Sequence, residues 1–169
     1  MKPVVCASAS VTAVRRPSVV SSVVVTSGTS AVSFYFKGTV AGAPTITATS
    51  APLIAAAQQE TVTAAGAGKL VFTNAPITVV AGVCSTAATL QVRDNNDNDT
   101  VVATATTVTL SAAPTAVTFY TDAACTLATP SVVIAAGSGT QIFYFRTNTS
   151  GPTTLTADAS GLNSGAQGE

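Results

Sequence analysis

The feature that most constrains this chain is a stretch it carries twice. Residues 33–48, SFYFKGTVAGAPTITA, return as residues 142–157, IFYFRTNTSGPTTLTA. The displacement is a constant 109 residues, and Val23–Glu60 runs against Val132–Glu169 without a gap. Val23, Val24, Gly28, Phe34, Tyr35, Phe36, Gly42, Thr45, Thr47, Ala48, Leu53, Ala57, Gln58 and Glu60 all recur, 14 identities in 38 positions. Two Thr/Ala-rich segments share a few residues by chance, but hardly an aromatic triplet in register. A tandem unit of about 100 residues predicts beads on a string rather than a short-period solenoid.

The second occurrence closes a full series of strand signals. Between Lys69 and Glu169 the candidates are Leu70–Thr73, Ile77–Val80, Ala87–Arg93, Val101–Leu110 (continuous or broken midway), Ala116–Thr121, Ser131–Ala135, Gln141–Arg146 and Thr153–Ala159. Turn signals separate them: NAP, AGVC, DNNDND, SAAP, DAAC, GSG and NTSGP. Seven or eight short strands in about 100 residues is the pattern of an immunoglobulin-type β-sandwich. Composition agrees, because Ala, Val, Thr and Ser dominate and β-branched side chains suit a half-buried pleated surface. The first occurrence has the closing strands alone. The expected fold is therefore all-β, with immunoglobulin-like β-sandwich repeats in tandem, one complete and one partial. Residues 1–60 are expected to form the partial domain, 61–68 (TVTAAGAG) a linker, and 69–169 the complete domain. The chain is expected to begin in mid-domain, as a piece of a longer protein or a mature product.

Charge narrows the partners. Only 8% of residues are charged, seven basic against seven acidic, so no field favours nucleic acid or an acidic membrane surface. Apolar residues reach 47%, yet the longest apolar runs fall far short of a membrane span. The opening MKPVVCASAS has one basic residue and no apolar stretch of signal-peptide length.

The motifs AGVCS, FYTDAACT and FYF…GPTTLTA together carry a family likeness. Across Lys69–Glu169, and in part across Val23–Glu60, the chain resembles the bacterial immunoglobulin-like repeats of large secreted and cell-surface proteins of the invasin and intimin type. In that family a D-x-x-G-N-P turn joins the second and third strands; here DNNDNDT stands in its place without the Gly or Pro. The resemblance implies a non-catalytic spacer, adhesive or surface-coat module in an extracellular or cell-surface setting. Its partners are then neighbouring repeats or further copies of the same chain.

Three cysteines follow from that setting. Cys84 and Cys125, both within the complete repeat, are expected to pair, since tandem β-sandwiches belong to oxidising compartments. The alternative is two buried free thiols. Cys6 is left over, as an intermolecular link or an unpaired thiol. It precedes RPSVV much as Cys125 precedes TPSVV, though at a longer spacing; if the two cysteines are counterparts, the natural partner of Cys6 is expected upstream of residue 1.

No reaction is visible. Without His there is no Ser-His-Asp or Cys-His site, and the few carboxylates are dispersed. No cofactor is expected, with calcium as the one candidate. Asp94, Asn96, Asp97, Asn98 and Asp99 crowd a single loop whose oxygens suit Ca²⁺, although the spacing is not that of an EF-hand. The competing reading is a solvated turn, because Asn and Asp tolerate left-handed backbone and bond their own turn. Asn98 and Asn148 also open glycosylation sequons. In Phe34-Tyr35-Phe36 and Phe143-Tyr144-Phe145, strand alternation puts both Phe of each triplet on the core side and the Tyr outward. Three functions remain: a structural or adhesive module, a self-assembling filament or coat subunit using intermolecular strand complementation, and, more distantly, a carbohydrate-binding module.

Overall fold

A computed structural model describes residues 4–12, 19–113 and 117–169, with backbone alone before residue 21. The described residues form strands, turns and loops without a helix, so the protein is all-β. No helix among them is long and apolar enough to cross a membrane. The chain divides into two compact units, Met1–Thr63 and Ala64–Glu169.

The first unit holds β1 (Val4–Thr12), β2 (Val19–Val25), β3 (Thr45–Ala48) and β4 (Ala56–Gln59). β1 pairs antiparallel with β2, and β3 with β4. An isolated bridge from Gly42 to Val62 extends the second hairpin. Residues 31–38 enter no ladder. Among residues 21–63 no side chain is buried; Val23, Val25 and Ile46 are only half-buried.

The second unit holds β5 (Lys69–Phe72), β6 (Ala88–Arg93), β7 (Thr106–Ala113), β8 (Val117–Tyr120), β9 (Ser131–Ile134), β10 (Thr140–Thr147), β11 (Thr154–Asp158) and β12 (Gly165–Gly168). They form two antiparallel sheets, in the orders β5-β6-β10-β8 and β12-β11-β7-β9. Period-two patterning builds the core between them. Ala88, Leu90 and Val92 of β6, Phe143 and Phe145 of β10, Val108 and Leu110 of β7, and Leu155 and Ala157 of β11 are all buried. Phe143 meets Phe72 and Phe119 edge to face, with ring centroids 6.1 and 5.7 Å apart.

Three sequence expectations change here. Ile77–Val80 is not a strand, although Ile77 and Val79 pack against the core. Residues 101–105 form a loop, plugged into the core by Val102, and β7 starts only at Thr106. β12, GAQG, carries no apolar alternation to announce it. Its Gly165 is there for close approach: a Cβ would meet the Leu70 carbonyl oxygen at 2.8 Å.

The two units share a plan. The β3–β4 register, Thr45↔Gln59 to Ala48↔Ala56, returns 109 residues on as Thr154↔Gly168 to Ala157↔Gly165 in β11–β12. The Leu53 N–H to Ser50 carbonyl bond returns as Leu162 to Ala159, and the Gln58–Glu60 side-chain bond as Gln167–Glu169. β2 pairs with β1 as β9 pairs with β7. The strands of the first unit thus correspond to one sheet of the sandwich, β12-β11-β7-β9. For the facing sheet the described residues offer only the unladdered segment 31–38, in the place of β10.

Candidate functional site

The polar loop DNNDND follows β6. Asp94 is fully buried, and both its carboxylate oxygens are engaged. Oδ2 accepts from the Ala65 backbone N–H at 2.9 Å and from Asn98 Nδ2 at 2.8 Å. Oδ1 accepts from the Asn96 and Asn98 backbone N–H groups at 2.8 and 2.9 Å. The Asn98 amide above all, with the backbone N–H groups of Ala65, Asn98 and Asn96, holds the carboxyl down at about 2 against the cost of its desolvation. Asp97, at a left-handed φ of 68°, turns outward to Lys69 Nζ at 2.7 Å. Asp99 pairs with Arg93 Nε at 3.0 Å.

The five calcium candidates therefore point in different directions. Asp94 faces inward onto N–H donors, Asp97 and Asp99 face cations, the Asn96 side chain is exposed and the Asn98 amide belongs to Asp94. Among the described residues no cluster of three or more His, Cys, Asp or Glu is arranged to hold a metal. The Asn98 nitrogen that a glycan would modify is the one that donates to Asp94. Asn148 is exposed.

Asp94 also alters the expected linker. Its bond to Ala65 is joined by Thr100 Oγ1 donating to the Ala65 carbonyl at 3.0 Å and by Gly68 N–H donating to Arg93 at 2.8 Å. Residues 64–68 belong to the second unit and are fastened to it.

Cys84 and Cys125 form a disulfide, with Cα atoms 5.7 Å apart. It ties the approach to β6 to the β8–β9 connection. Beside it, Ser85 N–H donates to the Phe145 carbonyl while Phe145 N–H donates to Ser85 Oγ, both at 2.9 Å. Asp122 shapes the turn that carries Cys125. Its carboxylate accepts from the Leu127 and Thr126 N–H groups, chiefly Leu127 at 2.6 Å, and these lower its pKa. No motif around Asp94 or Asp122 signals that either carboxylate is held by backbone N–H groups.

Cys6 lies on β1 opposite Val23; its side chain is outside the described residues. The pairing corrects its proposed equivalence to Cys125. Val132, the counterpart of Val23, faces Val108, so Cys6 occupies the place of Val108. The misreading came from the similar following residues, RPSVV and TPSVV. Phe143 and Phe145 are core residues as expected, but Phe34 and Phe36 are exposed, since no described strand pairs with their segment.

A groove of about 460 Å³ opens between β7 and β8, lined by Leu110, Ala112, Val117, Phe119 and Pro130 among others. None of its lining residues is ionisable.

A disulfide-bonded β-sandwich whose buried polar groups bind its own backbone defines the class of the second unit. No family model and no curated protein matches the chain. Solved structures do. A β-glycosidase from Bacteroides vulgatus is 12% identical with a TM-score of 0.50, covering 98% of this chain and 21% of that one. A glycosyl hydrolase family 2 member from Bacteroides cellulosilyticus DSM 14838 is 15% identical, with a TM-score of 0.48 over 73% of this chain and 18% of that one. The chain spans about a fifth of the length of these proteins. At such identity the likeness to the Bacteroides vulgatus β-glycosidase is one of fold.

Proposed function

We propose that the chain is a non-catalytic structural and adhesive module of a bacterial extracellular or cell-surface protein, with immunoglobulin-like sandwiches of the invasin and intimin kind. One observation carries this reading: the buried polar side chains, Asp94 and Ser85, bind the unit's own backbone rather than lining a cleft. Such an arrangement stiffens a fold and offers a substrate nothing to react with. The glycosidases that share the fold are several times longer, and their activity does not transfer to a fifth of their length.

Two measurements test it. Antibodies against the second unit label intact, unpermeabilised cells, and a panel of aryl β-glycosides and β-glucuronides is not turned over. Labelling only after lysis, or turnover abolished by one point substitution, overturns the reading.

The uncovered sheet of the first unit favours a second reading, self-assembly by strand complementation. Sedimentation over a range of concentrations separates the two, since a spacer stays monomeric and an assembling subunit grows with concentration.

A further inference from the structure

Segment 31–38 occupies the place of β10 but lacks partners on either side, and Phe34, Tyr35 and Phe36 are 40%, 73% and 37% exposed. In the second unit β10 pairs with β8 through Tyr144↔Tyr120, Phe145↔Phe119, Arg146↔Thr118 and Thr147↔Val117. The connection from β7 to β9 that carries β8 spans residues 114–130, whereas β1 and β2 are joined by residues 13–18 alone. Six residues are too few to supply a strand in the opposite sheet and return, at about 3.3–3.6 Å per residue. The partner for this edge must come from elsewhere.

The segment contains that partner's sequence. β8 reads Val-Thr-Phe-Tyr, and residues 32–35 read Val-Ser-Phe-Tyr. β10 reads Phe-Tyr-Phe-Arg at 143–146, and residues 34–37 read Phe-Tyr-Phe-Lys. Both halves of the β8–β10 ladder thus overlap in one stretch, sharing Phe34 and Tyr35. We infer that residues 32–38 of two copies of this chain pair antiparallel about a two-fold axis at Tyr35, rebuilding the β10–β8 ladder between molecules. Tyr35 then faces Tyr35 of the second copy, Phe36 faces Phe34, Lys37 faces Ser33 and Gly38 faces Val32. Every pair has its counterpart in the second unit. Arg146 lies over the Tyr120 ring at 5.4 Å, and Lys37 stands in the same relation to Tyr35 of the second copy. The contact is isologous and closes on itself, and adding a strand to an open edge is an established mode of association.

Two positions argue against a cover shaped like β5 and the 100-loop. Gly165 and Gly139 leave room for the Leu70 and Thr100 carbonyls, yet their counterparts in the first unit are Ala56 and Ser30. Each carries a Cβ where the second unit tolerates none.

The inference rests on the second reading above, self-assembly, and adds its partner and register. The test uses the full chain with Cys6→Ser, carrying either Tyr35→Cys or Lys37→Cys. Directly opposed residues have Cα atoms about 4.5–5.5 Å apart, inside the disulfide range of about 4.4–6.8 Å. Two copies of position 37 are four residues out of register, about 13 Å apart along the strand. Mild oxidation is expected to give at least about tenfold more covalent dimer for Tyr35→Cys than for Lys37→Cys, given those distances. Equal yields from a protein that still dimerises overturn the register and leave self-assembly standing. A protein that remains monomeric, with or without a glycan or another protein bound to the aromatic segment, overturns both.

Discussion

Val24 and its counterpart Val133 are 53% and 52% exposed, whereas Phe34 and its counterpart Phe143 are 40% and 0% exposed. All four belong to the same repeated stretch. On the outer face the two copies agree; on the inner face they part. Val23, Val25 and Ile46 are half-buried where Val132, Ile134 and Leu155 are buried. Strand alternation and hairpin register are thus set locally, by sequence the copies share. Burial is not local: it depends on β5, β6 and β8, and the described residues of the first unit hold no counterpart of these.

The widest way to test that contrast is to remove the shared aromatics from one unit at a time. Phe143→Ala with Phe145→Ala deletes two fully buried rings, each costing about 3–5 kcal/mol. Together that is about 6–10 kcal/mol, most of what a domain with about 5–15 kcal/mol of stability has to lose. Phe34→Ala with Phe36→Ala removes partly exposed rings of the other unit, and is expected to shift unfolding of the second unit by less than about 0.5 kcal/mol. Urea titration followed by far-ultraviolet circular dichroism checks both. Equal losses from the two pairs would erase the distinction between the units.

Next comes the cross-link found in the second unit. Cys84→Ser with Cys125→Ser releases a loop with a sequence separation of 41, worth about 4 kcal/mol on the chain-entropy model. The urea midpoint should fall accordingly, with the β3–β4 hairpin unaffected by amide exchange. An unchanged midpoint would mean that the bond constrains nothing.

A smaller effect is expected at the loop after β6. Asp94→Ala leaves the N–H groups of Ala65, Asn96 and Asn98 without their acceptor, and a buried donor left unpaired is costly. The second unit should lose on the order of 5–10 °C in Tm. Exchange at the Ala65 amide should accelerate while the β10 amides keep their protection. Slow exchange at Ala65 in the variant would show that residues 64–68 are held by something other than this carboxylate.

How far the sequence could be read follows from the same division. β6 and β11 alternate apolar and polar residues, while β8, β9 and β10 are short β-branched and aromatic runs; all five were legible between turn signals. β3 was legible as the copy of β11. β12 was not, because its information is the absence of a side chain at Gly165, a close approach to β5 that no periodicity encodes. Nor was the exposure of Phe34 and Phe36, since a triplet that fills a core in one place carries no sign of whether a core exists in the other. The loop Asp94–Asp99 was legible as a turn. What escaped was Asp94 facing inward, set by the distant Ala65 N–H and not by its neighbours alone.

The smallest effect expected is a pH dependence confined to the second unit. The Asp94 pKa is lowered from an ordinary 3.8 to about 2, and Asp122 is lowered too, chiefly by the Leu127 N–H. A depressed carboxyl stabilises the folded state fully above its unfolded pKa and loses that contribution as pH falls through the folded one. Stability of the second unit should therefore be level above about pH 4 and decline between about pH 4 and 2, where the unfolded chain binds protons first. Asp94→Asn removes the titrating group, so its decline over that window should be shallower than the parent's. Asp122→Asn should flatten it as well, since that carboxylate is also held by backbone N–H groups. In the first unit, Glu60 bonds the Gln58 side chain as Glu169 bonds Gln167, so a substitution there is a control at a site the copies share. Glu60→Gln should leave the acid limb of the second unit where it was. A limb that moved with Glu60→Gln and not with Asp94→Asn would assign acid sensitivity to the wrong unit and undo the comparison.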